Sequence, residues 1–370
     1  MIDGFLLFVV LDVWRIVLPL GISLVLLVTV FFEQWERASW DGGLRYPLLA
    51  WAARGSICLF VISGVVGMLV PWVLGYRLPI APLAGTPWGY DELVGFLLAS
   101  GLLWYSYRTA GPAKRVSLMG VGGATGLFLI IGMVWVARWD MMAHVGHVPN
   151  RLMFENVEFW EWTRVVPKFL HLVFASLAAG GLMVWGLGRL PCTLRTKDDE
   201  PRARALPIDG NWTTRYGVGL MLSGLVPQML VGPWLFLVLR EGPRAQLIDG
   251  MNLVSALFFV SMTAYLLALV LLNASSMVPQ STGFVWGGVI SAFVPLLLMG
   301  VVRYEMFVAT THSHGIPLAI EDLTLSHLGA VALFTLLLAG ILFRWCAWDI
   351  PYSSLAPQPT QRLDKPLLGG

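Results

Sequence analysis

Nine stretches of this sequence, at roughly 5–32, 54–75, 91–107, 116–137, 166–188, 216–239, 252–273, 283–302 and 325–345, are apolar and close to or beyond the length that carries a helix across about 30 Å of hydrocarbon. No soluble fold can hide that many. A chain in lipid must satisfy every backbone N–H and C=O internally, and runs of this length do so as α-helices. The expected fold class is therefore all-α, a polytopic transmembrane bundle of about nine helices. Composition removes the soluble alternative: only 12% of the 370 residues are charged, against about 25% in soluble domains. The 24 Lys+Arg nearly balance the 22 Asp+Glu, which argues against nucleic acid as a partner and leaves membrane lipid as the first one.

Orientation follows from where Lys and Arg gather in the connections. One alternate set holds Arg37, Arg45, Arg54, Arg108, Lys114, Arg115, the group from Arg189 to Arg204, and Arg362 and Lys365. The other set is poorer, with Arg77, Arg138, Arg151, Arg164, Lys168, Arg240, Arg244 and Arg303. That bias predicts the N-terminus outside and the C-terminus in the cytoplasm of a multi-pass membrane protein. Residues 1–32 lack the basic start and small-residue cleavage site of a signal peptide, so they are expected to stay as a helix. The polar segment 189–215, with Pro191, Pro201 and Pro207, reads as a cytoplasmic loop inside a single bundle spanning 1–352. The tail 353–370 has the Pro, Gly and polar content of a disordered segment. Cys58, Cys192 and Cys346 fall at or near the reducing cytoplasmic side, and no C-x-x-C-H or cysteine cluster is present. Any metal centre must then use histidine, methionine or carboxylate.

All six histidines map to the outer half. His171 stands in PKFLHL about one turn inside the fifth stretch, followed by the small residues of VFASLAAGG. Small residues let a flat macrocycle or another helix approach the backbone. An imidazole inside a bilayer is costly unless bonded or ligating, so His171 is either a ligand or a core histidine bonded to a carbonyl. His327, in LSHLGAVALF, repeats the pattern in the ninth stretch. The pairs His144/His147 and His312/His314 fall in expected loops, where a solvated surface is the simpler reading.

Charges also enter the outer leaflet. Asp12 and Arg15 share a face of the first helix at i, i+3 and can pair there. Asp91 and Glu92 open the third, where carboxylates favour the helix dipole, and Arg303 and Glu305 close the eighth. Arginines at that depth suit haem propionates, since a planar guanidinium binds a carboxylate bidentately; helix-to-helix ion pairing is the competing reading.

The run VVPKFLHLVFASLAAGG, preceded by Glu155-Asn156-Val157, resembles the fifth helix of cytochrome bd ubiquinol oxidase subunit I, whose histidine is an axial ligand of a low-spin haem b. RIVLPLGISLVLLVTVFFEQ resembles that family's first helix, YDELVGFLLASGLLW its third and GLFLIIGMVWVARWDMM the end of its fourth. The resemblance covers roughly the first 240 residues at low identity. It implies haem b, one or two, with His171 as ligand, Met251 as the sixth ligand and His327 as its competitor. Arg15 and Arg303 are the arginines expected beside that haem. The departures are equally informative. The first helix carries Trp14 and Arg15 where the family has a histidine for its high-spin haem. Of the family's two glutamates in the third helix, the first matches Asp91 and the second falls on Ala99. The large quinol loop shrinks to EGPRAQLIDG. Such a scaffold is not expected to reduce oxygen.

The expected function is that of a bd-like haem b subunit in a respiratory complex with other membrane subunits, relaying electrons between quinone and a periplasmic cytochrome c. Asp12, Asp91 and Glu305 are the candidate proton acceptors for quinol. A haem-free membrane anchor is the alternative. A transporter ranks last, because its charges would line a path at mid-membrane.

Overall fold

The computed structural model describes residues 4–36, 49, 52–58, 89–109, 118–145, 161–189, 210–239, 241–249, 252–278, 282–313 and 333. The described residues form α1 (Gly4–Glu36), α2 (Gly89–Thr109), α3 (Leu118–Val145), α4 (Trp162–Arg189), α5 (Gly210–Val238), α6 (Glu241–Ile248), α7 (Leu253–Met277) and α8 (Thr282–Ser313), with no strand among them. Six of these, all but α2 and α6, contain a segment long and apolar enough to cross a membrane. The third apolar stretch forms α2; its 21 residues reach about 31 Å at 1.5 Å per residue, although its polar residues lower its hydropathy. Of the second stretch only the beginning, within the helical segment 52–58, is described, and the ninth lies outside the described residues apart from Leu333.

α1 is the axis of the bundle. Its Val13, Val17, Leu20, Val25 and Leu26 are buried against α3, α4 and α8. Thr125 Oγ1 of α3 donates to the Ser23 carbonyl at 3.2 Å, and a side chain on Gly132 would meet Leu172, Ile16 and Leu20. These contacts run α3 antiparallel to α1 and set Leu172 of α4 level with residues 16–20 of α1. Toward the other end Thr29 and Tyr216 of α5 share a hydroxyl hydrogen bond at 2.9 Å.

Glycine governs the closest crossings. Gly21 and Gly180 bring the backbones of α1 and α4 into contact, so that a Cβ on either would overlap the other's chain. α4 and α5 meet the same way twice: a Cβ on Gly181 would stand 2.5 Å from the Met221 amide, and one on Gly224 would stand 2.5 Å from the Ala178 amide. Between lipid-facing helices the drive to associate is van der Waals packing, and small residues supply it by close approach. The small residues after His171 are thus spent on two neighbouring helices. A smaller cluster, with Trp185, Met221, Leu272 and Val289, joins α4 and α5 to α7 and α8. There Tyr265 donates to the Leu225 carbonyl at 2.6 Å.

Replacing Gly181 by valine overpacks the α4–α5 crossing and is expected to cost about 1–3 kcal/mol, the usual range for a core forced to accept extra volume. Gly101 has open space where its Cβ would be, so Gly101→Ala is expected to hold or raise stability by roughly 0.5–1 kcal/mol through helix propensity. Thermal melts of the two purified variants check the contrast.

Candidate functional site

At the charged end, three helices run four or more residues further than their apolar stretches. α3 continues past 137 to Val145, α4 begins at Trp162 rather than 166, and α8 continues past 302 to Ser313. Hydropathy marks where charges begin, not where the helix stops. Arg138, Asp140, Arg164 and Arg303 therefore lie on helices, and so do the backbones of His144 and His312, which were expected in loops.

The extra turns carry a network built on two buried carboxylates. Glu92 continues the buried face of α2 formed by Phe96, Ala99 and Leu103, at helical spacing. It accepts from Arg15 Nη2 of α1 at 2.9 Å and forms an ion pair with Arg138 Nη1 of α3 at 2.7 Å. Its side chain is only 2% exposed. Two residues beyond Arg138, Asp140 takes Arg164 Nε of α4 at 3.3 Å and also Lys168 Nζ. Arg164 further pairs with Glu161, whose side chain is 51% exposed at the mouth of the network. Arg164, Lys168 and His171 fall at i, i+4 and i+7, one face of α4.

Arg303 enters from α8. Its guanidinium carbon lies 3.9 Å from the Trp135 ring centroid and 5.3 Å from that of Trp139, two rings one helical turn apart on α3. Cation–π stacking of this kind contributes about 0.5–2 kcal/mol. The same guanidinium is within Coulombic range of Lys168 and His171. His171 itself is partly exposed at the helix surface, but its Nδ1 is buried with no hydrogen-bond partner among the described residues. Its backbone carbonyl accepts from Gln228 Nε2 of α5 at 3.3 Å.

The structure alters several sequence expectations. Arg15 reaches across to Glu92 on α2 as well as lying one turn from Asp12, whose side chain is outside the described residues. Glu92, grouped with Asp91 as a dipole-compensating carboxylate, is instead the clamp between three helices; the side chain of Asp91 is not among those described. Arg303 and Glu305 sit well inside α8, not at its close. Of the haem-ligand candidates His171 is placed, while Met251 and His327 fall outside the described residues. The network residues Arg138, Asp140, Arg164 and Lys168 were not singled out beforehand. Their signal was present: Arg164, Lys168 and His171 keep one face, and a carboxylate on an apolar stripe needs a partner.

Among the described residues no group of three or more His, Cys, Asp or Glu is arranged to hold a metal ion. An apolar groove of about 390 Å³, lined by Leu27, Val28, Phe31, Leu118 and Gly122, lies toward the other end of α1 from Arg15. No family model matches this sequence, and no curated protein is significantly similar to it.

Glu92→Ala removes the carboxylate shared by two guanidinia, and losing one member of a buried charge set costs about 3–5 kcal/mol. Glu161→Ala, at an exposed pair, is expected to cost under about 1 kcal/mol. Thermal unfolding in detergent separates them; equal melting temperatures for the two variants contradict the clamp.

Proposed function

We propose that this chain is a haem b-carrying, bd-like subunit of a respiratory electron-transfer complex in a bacterial inner membrane, with its charged end on the outer face. It relays electrons between membrane quinone and a periplasmic cytochrome c, as a quinone-linked oxidoreductase subunit, and does not itself reduce oxygen. The observation that carries this reading is the His171 ring. A buried polar atom without a partner costs about 1–3 kcal/mol, and Nδ1 of His171 has none among the described residues.

The donor set fits the group. Haem iron takes imidazole as an axial ligand, and haem when bound supplies a one-electron carrier whose potential the surroundings tune. His171 offers the imidazole. Arg303, stacked on Trp135 and within range of His171, offers a guanidinium for a propionate. Arg15 is the second cation of that kind, already engaged through Nη2 by Glu92. Met251 or His327 would be the second residue to hold the haem. Quinone binds at the same end of α1, α2 and α8, where Asp12, Asp91 and Glu305 take protons from quinol.

One observation favours a second reading, a haem-free anchor for a redox complex. The small residues that follow His171 pack backbone to backbone on α1 and α5, which closes that face of α4 to a macrocycle. A haem on His171 must then lie toward α3 and α8.

The purified chain is expected to give a b-type band in its dithionite-reduced minus oxidised spectrum, and His171→Ala is expected to lose it. A protein with no band is the anchor; a band that survives the substitution removes His171 as ligand. Affinity purification from native membranes is expected to retain a haem-staining c-type cytochrome, and its absence contradicts the partner.

A further inference from the structure

The network holds four arginines and one lysine: Arg15, Arg138, Arg164, Arg303 and Lys168. Arginine keeps its proton under all physiological conditions and grips a carboxylate better through its planar fork, whereas an amine can release a proton when desolvated. The one cation able to give up a proton is therefore the one placed on Asp140. It also stands a single turn from His171, on the same face of α4, and within Coulombic range of Arg303 from α8. From Asp140 the contacts continue outward through Arg164 to the exposed Glu161.

We propose that the Lys168–Asp140 pair is the proton outlet for quinol oxidation at this end of the bundle, an assignment that rests on the quinone-linked reading above. Quinol becomes quinone by losing two electrons and two protons. The haem of that reading would supply the one-electron acceptor for the electrons. For one of the two protons, Lys168 Nζ first passes its own proton to Asp140 Oδ1, which leaves a neutral amine beside a carboxylic acid. The amine accepts the proton from a quinol hydroxyl and becomes ammonium again. The carboxylic acid releases its proton to water at the exposed mouth by Glu161, and the ion pair is restored. One cycle clears one proton of each quinol, the other passing to the carboxylates named above, and no other reactant is consumed. Arg164 and Arg303 stay cationic throughout, and Arg164 holds Asp140 in place.

The test turns on Lys168→Arg, which preserves the charge and the pairing with Asp140 but cannot become a neutral donor–acceptor. Full-length protein is reduced with dithionite and, separately, with a short-tailed ubiquinol in a rapid-mixing spectrophotometer. Lys168→Arg is expected to keep the melting temperature and the dithionite-reduced band, while ubiquinol-driven haem reduction slows more than tenfold. General acid–base groups usually contribute about 10²–10⁴-fold. Ubiquinol addition is also expected to raise an infrared carbonyl band of a protonated carboxylic acid, absent from Asp140→Asn. If Asp140→Asn does not fold, the kinetics of Lys168→Arg decide the matter alone. Wild-type reduction rates in Lys168→Arg, with the band intact, overturn the outlet and leave the haem reading standing. A wild-type protein with a band that ubiquinol does not reduce overturns the outlet as well. A wild-type protein without any haem band overturns the haem reading, and the outlet with it.

Discussion

Each buried carboxylate at the charged end is shared by two cations, and the arrangement of the helices depends on that sharing. An isolated charge taken out of water is penalised by several kcal/mol even after relaxation, and attraction offsets the penalty only when geometry and hydrogen bonding are good. Glu92 meets the condition by drawing α1 and α3 to the first turn of α2. Asp140 meets it by drawing the first turns of α4 to α3. Helices in lipid have no hydrophobic drive toward one another. At this end their order is fixed by ionic contact, and at the middle by glycine.

The class of fold was legible because hydrophobic length is a direct reading of bilayer thickness. The six qualifying spans fall within six of the nine apolar stretches or overlap them closely. Helix ends were less legible. A hydropathy window stops at Arg138 and at Arg303, whereas the backbone continues wherever a partner across the bundle takes up the charge. The pairing itself was only half visible. Arg15 has an acid one turn away at Asp12, and local spacing points there, but the Glu92 contact joins residues 77 apart in sequence. No periodicity within one helix reports such a distance. What did carry the information was position, since Glu92 falls on the same face as Phe96 and Leu103.

His171 was legible as an ionisable group in an apolar stretch, and its surroundings were not. The small residues after it were compatible with either a macrocycle or a helix, and helices α1 and α5 take the space. Toward α8 the ring has the guanidinium of Arg303, which is stacked on the tryptophans of α3. Trp135, Trp139 and Arg303 give that side a polarisable aromatic wall with a fixed positive charge, an environment quite unlike the alanine- and glycine-lined face behind it.

The contacts of Gly181 and Gly224 with α5 have a metrical consequence. Backbones in contact at two levels cannot slide along one another, so α4 is held in register with α5 as a rule is held against a scale. His171 lies ten residues from Gly181, about 15 Å along the helix at 1.5 Å per residue, and its carbonyl is met there by Gln228. The position of the imidazole is thus measured from the glycine crossing. One residue inserted between them would turn the ring, and Lys168 with it, by about 100° around the helix axis relative to the crossing. The spacing between Gly181 and His171 is as much a part of the site as the residues that line it.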